Sequence, residues 1–266
     1  MGDGVQSGLI QATQVASETA LRRAANGVSY ASYGETEIAG NDLDRMVQAV
    51  PATIAGALGD KAYYFVPLAL AEGRESRPGS HKNGEDTMIA QAYTAELGDE
   101  AICHRNVTLG GPEGGKTEGV FISTRLLNDK FALAFEFFIN VGHAFVETAG
   151  VPEEFTALAW GQVVADVRGE TSQDAWESRN LARAGHAEGK AQVDEKAKNS
   201  FLEAAFSDAL AIYQLSLSVD FDYSELRERE YPLIAPAALA DRLRLMAKLF
   251  PPNAGYEFAI RYRRRA

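Results

Sequence analysis

The stretch from Phe131 to Val146, FALAFEFFINVGHAFV, constrains this chain more than any other part of it. It is apolar almost all the way round at helical spacing, and a helix without a polar face has to be buried on every side. It is short for a membrane span and holds Glu136, Asn140 and His143. The expectation is therefore a core helix over about Asp129–Thr148, stopped by Gly150 and Pro152. Its polar exceptions, Glu136, Asn140, His143 and Glu147, fall on one narrow stripe at about 100° per residue. Such a stripe either faces solvent or lines a cleft.

Around this helix the chain reads as α+β, mainly helical with a small mixed sheet. Residues 3–27 are rich in Ala, Gln, Ser and Thr, and the expectation is an N-terminal helical arm over 1–42 ahead of one domain over 43–266. Asn41-Asp42 is positioned to cap a helix over Leu43–Leu58, with Pro51 kinking or breaking it. Lys61–Leu70 (KAYYFVPLAL) has the density of a strand, with Pro67 marking an edge or bulge. Residues 72–86, with His81, read as an exposed loop, and 87–97 as a short helix or another strand. Ala101–Leu109 and Gly119–Thr124 read as strands. On such a strand Cys103 and His104 point to opposite faces, which excludes a shared site. Further helices are expected over Glu153–Val167, Asn199–Ser216 and Pro236–Leu249, with polar residues 169–199 as an exposed helix or loop.

Composition narrows the function. A net charge of −11 disfavours nonspecific binding to nucleic acid or to an anionic membrane. The basic end, Arg261 with Arg263–Arg265, reads as a solvated tail. The lone Cys103 excludes an intrachain disulfide framework and a cysteine-rich metal site. The start, MGDGVQSGLIQ, lacks the basic and apolar pattern of a signal peptide, so a cytoplasmic location is expected.

Phe137-Phe138-Ile139-Asn140-Val141-Gly142-His143-Ala144-Phe145 resembles the active helix of zincin-type metallopeptidases, L-x-H-E-x-G-H-A-[FL]. In that motif two histidines at i and i+4 bind zinc and the glutamate activates water. Other segments are similar to the branch around the anthrax lethal factor catalytic domain. These are Val50-Pro51 through Leu58, the strand-like Lys61–Leu70, glycine-led Gly119–Thr124, Glu203–Tyr213 (EAAFSDALAIY), Tyr231-Pro232 and Leu243–Leu249. The resemblance implies a zincin-like fold, but Ile139 stands for the first histidine and Asn140 for the glutamate. Aligned on Phe206-Ser207-Asp208-Ala209, the third ligand position falls on Ala204, with Glu203 one residue away. His143 is then the one remaining metal candidate, with Glu147, Glu203 or the distant His186 as the partners left to it. The resemblance implies an inactive peptidase-like domain without expected cofactor, not a zinc enzyme. Its residual cleft of Glu136, Asn140, His143, Glu147 and Glu203 would bind a protein or peptide partner or serve only as scaffold.

A second motif competes. Gly110–Thr117 reads GGPEGGKT and satisfies G-x-x-x-x-G-K-[ST]. As a nucleotide-binding P-loop it would use Gly110, Gly115, Lys116 and Thr117, with Lys116 on the β- and γ-phosphates and Thr117 on Mg²⁺. A P-loop opens into a helix, however, and Glu118–Ile122 has a glycine and a β-branched run that suit a strand. The expectation is a glycine-rich turn between strands. A third alternative is an unrelated α+β structural or interaction protein in which both motifs are accidental.

Overall fold

The structure, a computed structural model, describes residues 8–71, 87–110, 116–187, 193–226 and 230–260. The chain forms two compact units, Met1–Phe137 and Phe138–Ala266. Together their elements make an α+β protein with a small mixed sheet. Among the described residues no helix is long and apolar enough to cross a membrane.

The first unit carries the strands. In chain order they are β1 (Leu9–Gln11), β2 (Arg22–Arg23), β3 (Ser29–Ser32), β4 (Lys61–Val66), β5 (Leu68–Ala71), β6 (Thr87–Ala90), β7 (Ala101–Ile102), β8 (His104–Gly110) and β9 (Lys116–Ser123). They form a four-stranded sheet, β1-β6-β5-β7, and a five-stranded sheet, β2-β3-β4-β9-β8. In the larger sheet β3, β4 and β9 are parallel, whereas β2 and β8 run antiparallel to their neighbours. Strand β4 (KAYYFV) is buried at every position, as a strand with a neighbour on each side and both faces covered must be. The expected edge at Pro67 is therefore corrected: Pro67 separates β4 from β5, and the chain passes there from one sheet to the other. A residue without an N–H suits that break, because neither ladder needs a donor from it.

Helices α1 (Ala12–Glu18), α2 (Gly40–Gln48), α3 (Ala52–Ala55) and α4 (Ala95–Gly98) complete this unit with the start of α5 (Lys130–Ala149). The N-terminal segment is not an arm. Ala12 and Val15 of α1 join a core with Tyr64, Ile89, Val107, Leu109 and Phe121, and β1 pairs with β6. Pro51 ends the helical run as expected, by standing at the N-cap of α3. Helix α2 starts earlier than expected, at Gly40, without a side-chain cap, so Asn41-Asp42 lies in its first turn. Residues 87–97 resolve into both expected alternatives, strand β6 and helix α4.

The second unit is helical: the rest of α5, then α6 (Glu153–Val164), α7 (Gln173–Ala187), α8 (Glu195–Ser218) and α9 (Pro236–Leu249). Asp194 caps α8 by accepting from the Ala197 N–H at 3.0 Å, and Pro236 opens α9 where a missing N–H costs nothing. Residues 169–199, expected as an exposed segment, include α7, which buries Ala175, Arg179 and Ala182. The apolar stripe of α8 runs from Phe201 to Leu217 and makes this helix the centre of the unit.

Candidate functional site

Gly142 fixes how α5 meets α8. A Cβ built on it would lie 2.9 Å from the Ser207 carbonyl oxygen and 3.1 Å from its Cα. Only a glycine permits this approach, because the neighbour is backbone and cannot swing away. One turn further, Phe145 packs on Phe206 with ring centroids 5.8 Å apart. The two segments that carry the peptidase resemblance are thus paired helix to helix, and they touch through its Gly-His-Ala-Phe and Phe-Ser-Asp-Ala frames.

The sequence-predicted residues divide between the two units. Glu136 is half-buried in the first. Asn140 is buried in the second, and His143 and Glu147 are exposed there, so the stripe is not uniformly solvated. Glu203 is exposed on α8, one turn before Ser207, and Ala204 is half-buried. Of the positions that the resemblance gives to zinc and to water activation, His143 alone carries a metal-binding side chain. Ile139 and Ala204 supply hydrocarbon and Asn140 an amide, which do not fit a three-ligand zinc centre. Among the described residues no group of three or more His, Cys, Asp or Glu is placed to hold a metal ion.

The P-loop-like segment divides as well. Residues 111–115, including Gly115, lie outside the described residues, as do 72–86 with His81 and 261–266 with the terminal arginines. Gly110 ends β8, and Lys116 and Thr117 open β9, so the chain continues as a strand after the glycines. A P-loop instead leads into a helix, whose N-terminus it aims at the phosphates.

A polar edge forms in the first unit that no local sequence pattern signals. Among the described residues β8 ends the larger sheet, with β9 on one side. Ser123 donates its N–H to the Cys103 carbonyl at 2.8 Å, and His104 stands opposite Ile122. Hydrogen-bonded pairs alternate along an antiparallel ladder, so Arg105, Val107 and Leu109 bond to β9. The N–H and C=O groups of His104, Asn106 and Thr108 then point away from the sheet. The side chains of these three are exposed, while Val107 and Leu109 turn into the core on the opposite face.

The register places His104, Asn106 and Thr108 on the face that also bears Tyr63 and Phe65. Phe137 of α5 packs on that face, 5.0 Å from Tyr63 and 5.6 Å from Phe65 between ring centroids. The first turns of α5 therefore flank β8 on its polar side. His104 Nδ1 and Glu136 Oε1 meet there at 2.5 Å. Cys103 stands at the bend between β7 and β8, exposed, with its thiol pushed up by burial of its surroundings and by the negative charge of Glu136. A bend at Cys103 separates β7 from β8, and the carboxylate of Glu136 that meets His104 also adds its charge to the surroundings of the Cys103 thiol.

Sequence reasoning also missed a buried charge cluster in the second unit. Arg242 of α9 is fully buried and donates to Glu170 at 2.9 Å and to Gln162 of α6 at 2.8 Å. Arg179 of α7 donates to Glu170 at 3.2 Å and to the carbonyl oxygen of Gly169 at 2.7 Å. Asp208 of α8 lies beside them, accepting from the Thr171 hydroxyl at 2.8 Å. A signal was present: Arg242 sits at helical spacing among Leu239, Leu243 and Met246, so a charge on that apolar face has to be buried and paired.

No protein-family model matches the chain, and no curated protein matches it either.

Proposed function

We propose that this protein is a noncatalytic, peptidase-like domain that binds an extended peptide segment along β8. The observation that carries the reading is the outward backbone of His104, Asn106 and Thr108 at the end of a mixed sheet. A strand whose outward donors and acceptors meet no partner among the described residues takes an added strand, whose main chain supplies affinity while alternate side chains supply selectivity. Glu136 of α5 and His104, Asn106 and Thr108 of β8 are polar, so the segment's residues beside them would be polar too.

Three features support the peptidase-like part of the reading. An antiparallel strand closes the sheet beside the first turns of α5, the helix whose later turns carry INVGH. The glycine of that motif seats α5 on α8, as the resemblance requires of its two helices. The side chains at Ile139, Asn140 and Ala204 cannot perform the zinc chemistry the resemblance would otherwise imply.

Two measurements test this. Purified protein is expected to retain no stoichiometric zinc after dialysis and to leave casein uncleaved. Zinc that survives dialysis and disappears in His143→Ala would overturn the noncatalytic reading. Peptides selected from a displayed library are expected to lose binding to Asn106→Pro, since proline deletes an outward N–H without touching the β8–β9 ladder. Selected peptides that bind this variant as tightly as wild type would overturn the assignment to β8.

A further inference from the structure

Strand β8 has a counterpart at the other end of the sequence. Helix α9 ends at Leu249, and Pro251-Pro252 prevents its continuation. The Tyr256 N–H then donates to the Asn253 carbonyl at 3.1 Å, closing a turn in which Gly255 supplies φ +89°. From there the side chains alternate: Tyr256, Phe258 and Ile260 are half-buried, Glu257 and Ala259 exposed. A period of two is that of an extended chain. Phe258 packs in a T-shape on the buried Tyr213 of α8, 5.3 Å between ring centroids. Tyr213 in turn donates its hydroxyl to the Phe250 carbonyl at 2.7 Å. Side chains therefore hold this segment on the second unit. Among the described residues its backbone from Glu257 to Ile260 forms no hydrogen bond.

The outward groups of β8 and the backbone of this segment match in spacing. Paired antiparallel, Thr108 stands opposite Glu257, Asn106 opposite Ala259, and His104 opposite residue 261. That residue is Arg261, the first beyond the described chain, and the register brings its cation to Glu136 beside His104. Glu257 falls by the Thr108 hydroxyl, in the row where Lys61 pairs with Glu118. A parallel register would instead set Glu257 against Glu136, like charge on like. Tyr256, Phe258 and Ile260 point to the opposite side and stay on their own α8. A second β8 is the rival occupant. Paired antiparallel, it would carry a second α5 onto the same face, whereas the C-terminal segment brings no helix with it.

We propose that the segment Glu257–Arg261 of one copy adds as a strand to β8 of a second copy. This rests on the reading of β8 as an acceptor of extended peptides, and it names the peptide. Donor and acceptor are different surfaces, so a copy that has lost one can still use the other. One added strand is a small interface, and each copy carries a net charge of −11, so the association is weak and favoured by screening.

The test is sedimentation of the full chain from about 5 μM to about 500 μM at about 0.15 M salt. The mean mass of the wild type is expected to rise with concentration. Asn106→Pro, with a broken acceptor, and Ala259→Pro, with a broken donor, are each expected to stay monomeric. Mixed in equal amounts they should form a dimer and nothing larger, which also shows that both variants fold. A synthetic peptide of residues 255–265 is expected to bind Ala259→Pro, and the same peptide N-methylated at Ala259 to bind about tenfold more weakly. Wild type that stays monomeric throughout, variants that do not complement each other, or equal binding of the two peptides would sink the proposal. Ala259→Pro that associates like wild type, while Asn106→Pro does not, would give the contact to a second β8 instead. The two readings fail separately. If library peptides lose binding to Asn106→Pro while wild type stays monomeric, β8 stands as an acceptor and only its C-terminal partner is lost.

Discussion

The His104–Glu136 pair in the first unit and the Arg242–Glu170–Arg179 cluster in the second use related chemistry at opposite degrees of hydration. His104 is 42% exposed and Glu136 18%, whereas Arg242 and Glu170 are 0% and 1% exposed. Water decides what each is worth. A solvated pair gains little, because both partners are almost as well served by the solvent. A buried cluster gains little in net terms too, since its Coulomb attraction mostly offsets desolvation, but losing one member strands a charge without water. The exposed pair thus has little to do with stability and is free to serve recognition, while the buried one locks segments together.

The largest expected effect comes from that asymmetry. Arg242→Met removes the bidentate partner of Glu170 and the donor to Gln162, and should cost about 3–5 kcal/mol in urea unfolding. Replacing Arg179, Glu170 and Arg242 together with apolar residues of similar volume should recover most of that loss. A single variant that costs under about 1 kcal/mol would break the comparison, because Glu170 would then have found water or another cation.

Gly142→Ala comes next. In an exposed helix this change would add about 1 kcal/mol of stability through propensity. Here the new methyl meets the Ser207 backbone at 2.9 Å, and neither helix can yield locally. Overpacking of this kind costs about 1–3 kcal/mol, so the net sign should be destabilising. A neutral or stabilised variant would show that α5 and α8 are not held at this distance.

The elements legible in the sequence are those whose burial is written in one short window. Helix α5 announces itself through apolar residues on every side, and α9 through Pro236 and the spacing of Leu239, Leu243 and Met246. Strand β4 reads as a strand from KAYYFV alone, but its central place depends on β3 and β9, which lie far away in sequence. The N-terminal segment reads as an arm because Ala12 and Val15 carry weak apolar signals, and the core partners that bury them come from other elements. The candidate site is half legible. Glu136 can be chosen from the stripe of its helix, but His104 cannot be paired with it, since the two lie 32 residues apart and meet only through the packing of α5 on the sheet. The buried cluster needs five separate segments to converge, and no local pattern foretells which carboxylate receives which arginine.

The smallest effects belong to the exposed pair and sharpen the contrast from the other side. His104→Ala should change stability by no more than about 1 kcal/mol, and added salt should shrink even that, since screening reaches charges in contact with solvent. Glu136→Gln probes the same contact without removing its bulk. Burial is the larger reason that the Cys103 thiol is held up, and the Glu136 charge the smaller. Neutralising Glu136 removes the smaller cause, so the thiolate fraction at neutral pH should rise modestly. Alkylation of Cys103 by iodoacetamide should then be faster by less than about tenfold, because the thiolate is the nucleophile. An unchanged rate would mean that solvent already screens the carboxylate from the thiol. A much larger increase would mean that the bend at Cys103 is drier than its exposure implies, and that the polar edge of β8 shares some of the character of the buried cluster.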